Sequence, residues 1–284
     1  MTAAPAAGVG QPIGMRRVIV GLLLAIVGIG SVFWAPAFEV LCTAMAVCCL
    51  WEFAQLSARK GPALEFPVAL VAIVLYFALT SAGLIHRYEG VLLAATVVVA
   101  LVTALFASSE GAFARSGYTL LGVLYIGKLT SYFIAIRMLP RIGSAVTVMA
   151  ILLIALTDIF AMVIGTRFGR TPLTPVSPRK TVEGSAGGLA VAIVAGVAIA
   201  LTPWLHLMWW QGAVIGAITS VAAQAGDLVE SSLKRDARVK DAGSLIGGHG
   251  GVLDRFDSYI FGGIAFYFAL YVVGVIPHGA YGAS

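Results

Sequence analysis

Hydrophobic positions in this chain come in long runs separated by short polar breaks. Runs of about 18 residues or more recur, and each is long enough to cross a hydrocarbon layer as a helix. The breaks predict nine spans, at residues 15–34, 38–58, 64–85, 91–107, 117–139, 146–167, 186–206, 211–231 and 258–276. Connections are short except at 231–257, so the pattern predicts one membrane domain over 15–284. Residues 1–14, rich in Ala, Pro and Gly, read as a disordered tail. The first run follows Met15-Arg16-Arg17 and ends at Ala35-Pro36-Ala37, as a signal peptide with a small-x-small cleavage site does. Its length and the spans behind it favour retention as the first membrane helix.

Composition sharpens the class. Hydrophobic residues make up 60% of the chain and charged residues 11%, with a mean hydropathy of +0.98. A soluble fold needs far more polar surface than this. The reading is an all-α integral membrane protein of about nine transmembrane helices with two charged cytoplasmic loops. The net charge of +5 has a topological explanation and gives no reason to expect nucleic acid. Cys42, Cys48 and Cys49 share one apolar run and read as small buried residues.

Loop charges predict the orientation. With the N-terminus in the cytoplasm, 14 bases fall on the cytoplasmic side, including four from Arg167 to Lys180 and five from Lys234 to Arg255. The opposite side carries three, Arg87, Arg137 and Arg141, and Lys128 lies within a span. Both charged loops then face the compartment where nucleotides are available, and the C-terminus lies outside.

Charge is also unevenly spread. Six of the 13 acids and five of the 18 bases fall between Gln224 and Asp257, a window of 34 residues. Gln224, Asp227, Glu230/Ser231 and Lys234 recur at helical spacing and form one polar stripe at the end of the eighth span. Acids within spans are costly, at about 2.5–3.5 kcal/mol near the bilayer centre, and are usually functional. Asp158 is a third such acid, about 13 Å below the cytoplasmic end of its helix at 1.5 Å per residue. Glu52, beside Trp51, reads as interfacial. The second charged loop, Arg167 to Gly184, contains prolines that prevent a helical extension. Its Ser177-Pro178-Arg179-Lys180-Thr181-x-Glu183-Gly184 order exceeds what the positive-inside rule requires.

Acids at the membrane rim, nine bases in two loops and a Gly-rich turn suit the joining of two polyanions. Carboxylates can hold Mg²⁺, which prefers oxygen ligands and shares phosphate coordination. Arg and Lys can clamp phosphates, and Gly247, Gly248, Gly250 and Gly251 allow backbone N–H groups to approach one closely. His249 either touches a phosphate or orders the turn. No Ser-His-Asp set is evident. A phosphate monoester needs none, being largely dianionic at neutral pH.

At these residues the chain resembles the phosphatidate cytidylyltransferases (CDP-diacylglycerol synthases). The family's C-terminal signature is met by Ser231, Leu233, Lys234, Arg235, Lys240, Asp241, His249, Gly250, Gly251, Val252, Asp254, Arg255, Phe256 and Asp257, preceded by Gln224-x-Gly226-Asp227. Its Ser-Pro-Lys-Lys-Thr-x-Glu-Gly loop resembles Ser177 to Gly184, with Arg179 replacing one lysine. A third segment is met by Asp158, Ala161 and Gly165, with Phe160 and Met162 departing from the pattern. Strong resemblance covers about residues 155–260, the expected catalytic part.

The resemblance implies CTP + phosphatidate → CDP-diacylglycerol + pyrophosphate, dependent on Mg²⁺. It places the metal on Asp227 and Asp254, with Asp158 as a further candidate. Catalytic roles fall to Asp227, Lys240, Asp254 and Arg255. Substrate-binding roles fall to Ser177, Arg179, Lys180, Thr181, Glu183, Ser231, Lys234, Arg235, His249, Gly250 and Gly251. A homodimer is compatible with this reading. The competing readings are a cytidylyl or phosphoryl transferase acting on another lipid phosphate, an ion-coupled transporter, and an inactive scaffold. Transporter sites tend toward the midplane on broken helices, whereas these acids crowd one face.

Overall fold

A computed structural model describes residues 26–107, 110–243, 245 and 250–276. These form eight named helices: α1 (Ala35–Ala58), α2 (Phe66–Ser81), α3 (Ile85–Ala107), α4 (Ala112–Arg137), α5 (Gly143–Phe168), α6 (Val182–Ala200), α7 (Trp209–Asp236) and α8 (Leu253–Val272). Residues 26–32 are also helical, and the described residues contain no strand beyond one isolated bridge, Pro172 with Thr181.

Every predicted run after the first overlaps one of these helices. Six of them, α1 and α3 to α7, are long and apolar enough to cross a membrane. Helix α2 has only 16 residues, and α8 carries Asp254, Arg255 and Asp257 in its first turns. Most of the predicted run 15–34 lies outside the described residues. Ala35-Pro36-Ala37 forms the first turn of α1, where proline is tolerated because its missing N–H has no helical partner.

Helices α5, α6, α7 and α8 pack as sequential neighbours, and α8 also lies against the second half of α4. The buried face of α6 is Gly184, Gly188, Ala192, Gly196 and Ala200, a strict i, i+4 stripe of small residues. Ala192, Gly196 and Ala200 meet Gly212 and Gly216 of α7, while Gly184 and Gly188 lie against Thr157, Ala161 and Gly165 of α5. Small side chains let helix backbones approach closely where no hydrophobic gain drives association in lipid. Lys128 is accommodated in a π-helical segment of α4, ion-paired with Glu89 and lying 5.1 Å from the Tyr132 ring centroid.

Two ion pairs gather the polar ends of distant helices. Lys60, after α1, meets Asp236 at the end of α7 at 2.8 Å, and Arg115 of α4 lies 3.6 Å from Glu65, before α2. Arg137 instead donates from Nε to the Val32 carbonyl at 2.5 Å. The loops predicted to share one side are thus physically joined.

Three predicted boundaries are corrected. Helix α7 runs to Asp236 rather than 231, so Asp227 sits over two turns inside it rather than in its last turn. Helix α6 starts at Val182, capped by Thr181, whose Oγ1 accepts the Gly184 N–H at 3.1 Å. Asp254 is within the first turn of α8, not before it.

Candidate active site

A cavity of about 390 Å³ opens between α5, α6, α7 and the loop joining α5 to α6. Helix α5 contributes Asp158, α7 contributes Gln224 and Asp227, and the loop contributes Ser177, Arg179 and Lys180. Thr181 and Ser185 complete the wall from α6. Three sequence-distant segments thus put an intramembrane carboxylate pair opposite two bases.

The loop is held by its own residues. The Glu183 carboxylate accepts the Arg170 N–H at 3.0 Å and the Thr171 N–H at 3.2 Å. Backbone bonds from Leu173 N–H to the Lys180 carbonyl (2.7 Å) and from Val182 N–H to the Thr171 carbonyl (2.9 Å) close a hairpin-like turn. Glu183 therefore acts on the loop backbone and does not line the cavity. The Lys180 ammonium pairs with Asp227 across the opening. Asp158 accepts a hydrogen bond from Ser258 Oγ of α8 at 3.2 Å. Gln224 donates to the Ser185 carbonyl at 3.3 Å and bonds the Ser185 hydroxyl, tying α7 to α6.

A second polar cluster lies further along α7. Lys234 Nζ is 2.6 Å from Asp254 Oδ1 and also pairs with Glu230. Asp254 accepts the Ala242 N–H at 3.0 Å and the Gly251 N–H at 2.7 Å, so its carboxylate organises the signature loop. Gly250 adopts φ +82°, a conformation that favours glycine, with Asp254 Oδ2 beside it. Asp257 is buried and accepts the Ser258 N–H at 2.7 Å. Arg235 donates to the Val239 carbonyl at 2.9 Å. Lys240 and Arg255 are exposed, and Ser231 is buried. Gly247, Gly248 and His249 lie outside the described residues.

The polar stripe of α7 therefore divides. Gln224 and Asp227 face the cavity, while Glu230 and Lys234 face Asp254, about 10 Å further along at 1.5 Å per residue from Asp227 to Lys234. The expected joint placement of Asp227 and Asp254 is not what the contacts bring together. Asp227 shares the cavity with Asp158, while both oxygens of Asp254 are engaged by Lys234, Ala242 and Gly251. Oxygen donors dominate the cavity's polar lining, and it has no Cys or His. Such a set suits a hard cation such as Mg²⁺.

One residue was misread from sequence. Glu52 is fully buried rather than interfacial, and its Oε2 accepts the Leu253 N–H at 2.8 Å. Its neighbour Trp51 is the exposed one, edge-on to Phe66 at 5.7 Å. An apolar run does not reveal which of two adjacent residues faces inward.

The sequence profile of the cytidylyltransferase family matches residues 15–273. The chain belongs to the cytidylyltransferase family. Among its relatives is the phosphatidate cytidylyltransferase of Bacillus subtilis (strain 168), 34% identical over 253 residues that cover 87% of this chain and 93% of that protein. The phosphatidate cytidylyltransferase of Synechocystis is 34% identical over 259 residues, covering 80% and 86%. Phosphatidate cytidylyltransferase 4, chloroplastic, of Arabidopsis thaliana is 35% identical over 204 residues, covering 62% and 51%. Membership of the cytidylyltransferase family gives the cavity a chemical context: its two bases stand on a polar loop, and its acids lie within helices long and apolar enough to cross a membrane.

Proposed function

We propose that this protein transfers CMP from CTP to phosphatidate, giving CDP-diacylglycerol and pyrophosphate for phospholipid synthesis. The observation that carries this reading is the cavity in which Arg179 and Lys180, on a polar loop, face Asp158 and Asp227, on apolar helices. A phosphate oxygen of phosphatidate attacks the α-phosphorus of CTP, and the α–β anhydride bond breaks as pyrophosphate leaves. The nucleophile is already anionic, so the work falls on positioning and charge neutralisation.

Arg179 and Lys180 neutralise phosphate oxygens, and the Glu183-pinned turn holds both at the cavity rim. Ser177, Thr181 and the signature residues Ser231, Lys234, Arg235, Gly250, Gly251 and His249 complete substrate binding, with Lys240 and Arg255 reaching the phosphates from the exposed side. Asp227 and Asp158 would hold Mg²⁺, with Asp254 as the other candidate ligand once its present donors are exchanged. When bound, the cation would neutralise developing phosphate charge. The catalytic part is about 155–260.

Nine spans, with the N-terminus and both charged loops cytoplasmic, bring CTP to the site from water and phosphatidate from the leaflet. The 14-to-3 distribution of bases supports that orientation. The test is purified protein in detergent with CTP and Mg²⁺, offered phosphatidate or a polyprenyl phosphate. Lipid-linked CMP from phosphatidate supports the reading, and product from the polyprenyl phosphate alone refutes the substrate.

A further inference from the structure

Glu52 lies on α1, more than 100 residues before the expected catalytic part, yet its carboxylate sits beneath the signature loop. Its Oε2 accepts the N–H of Leu253, the first residue of α8. Its Oε1 has no hydrogen-bond partner among the described residues, although Glu52 is 0% exposed. A buried carboxylate with one oxygen unpartnered costs stability, so its place in the fold calls for a compensating role. The chain has also made room for it. A Cβ on either Gly243 or Gly251 would overlap the Glu52 side chain. The seat is built from both ends of the loop that Asp254 organises.

We infer that Glu52 is a positioning residue for the transfer reaction: its carboxylate, seated between Gly243 and Gly251, fixes the start of α8 and thereby the Asp254–Lys234 pair. Leu253 immediately precedes Asp254, and Gly251 donates to Asp254 at 2.7 Å while standing against Glu52. Displacing the carboxylate therefore shifts the backbone that leads into Asp254 and an amide that its carboxylate accepts. The cavity bases Arg179 and Lys180 are on a separate loop, so the displacement falls on the signature loop and not on them.

The inference rests on the cytidylyl-transfer reading, and its test separates the two. In E52A, kcat falls by about 10²-fold, the scale of a small misplacement. Hydrogen exchange of the 250–256 backbone speeds up in the substrate-free protein. E52Q keeps an acceptor oxygen for Leu253 and restores most of the turnover. G243A, which keeps every polar group, loses activity in the wild-type background but costs nothing further in E52A, because the two act on one contact. If E52A fails to fold, G243A and E52Q carry the same comparison. Unaltered exchange and turnover in E52A, or in G243A should E52A not fold, overturn the inference. So does an E52Q as impaired as E52A, or additive losses for E52A and G243A. Absence of lipid-linked CMP with the wild type refutes the functional reading instead.

Discussion

Lys180, on the loop between α5 and α6, forms an ion pair with Asp227 of α7 across the mouth of the cavity. Each side chain is about 30% exposed or less, so the pair is open enough to be parted by a ligand. A phosphate anion competes for the lysine, and a cation competes for the aspartate. Substrate entry thus replaces one charge pairing with two.

Replacing both Arg179 and Lys180 with Gln removes the cavity's bases without touching the apolar core. Turnover falls at least ~10²-fold, equivalent to about 2.7 kcal/mol of barrier, and the melting temperature stays near wild type. Near wild-type turnover in the double variant reduces these bases to a topological role.

Asp227 and Asp254 are separable by stability. Asp227→Asn keeps the shape and an acceptor oxygen for Lys180 but removes a charged ligand, so activity falls by at least ~10²-fold while the fold persists. Asp254→Ala leaves Lys234 and Glu230 facing each other without their third partner and frees two loop amides. Breaking such a buried pair costs about 3–5 kcal/mol, so that variant loses both activity and thermal stability. Thermal melts alongside metal-dependent rates distinguish the two. A fully active, well-folded Asp227→Asn at limiting Mg²⁺ contradicts the metal assignment.

Glu183→Ala releases the amides of Arg170 and Thr171. The expected result is faster proteolysis between residues 169 and 181 and a raised KM for CTP. A loop that stays protected, with normal KM, shows that the two backbone bonds from Leu173 and Val182 suffice.

The Lys180–Asp227 pair ties the α5–α6 loop to α7, and single cysteines at 180 and 240 are expected to be labelled from the same side of the membrane. Labelling in inverted and right-side-out vesicles reads the side. Labelling of either position only from the outer face overturns the cytoplasmic orientation.

Much of this was legible in the sequence because membrane helices announce themselves by uninterrupted apolar length. The α5–α6 loop was legible for a different reason: its prolines forbid helix, and its bases have no apolar partner. What stayed hidden was direction around each helix axis. Glu52 and Trp51 are adjacent in an apolar run, and only packing sends the acid inward and the indole outward. The partners of one stripe were hidden too: Asp227 and Lys234 share a face of α7, yet Asp227 meets the α5–α6 loop and Lys234 the start of α8. Helix ends were misjudged where polar residues extend a helix past the apolar run, as from 232 to 236.

In the proposed reaction the nucleotide is cleaved at its α-phosphorus and the CMP passes to a lipid phosphate. Purified protein with phosphatidate and Mg²⁺ is given CTP labelled at either the α- or the γ-phosphate, and the lipid phase is counted. The account predicts label in lipid from α-labelled CTP alone, with the γ-label recovered as pyrophosphate. Lipid labelled from the γ-position, or no labelled lipid from either, contradicts it.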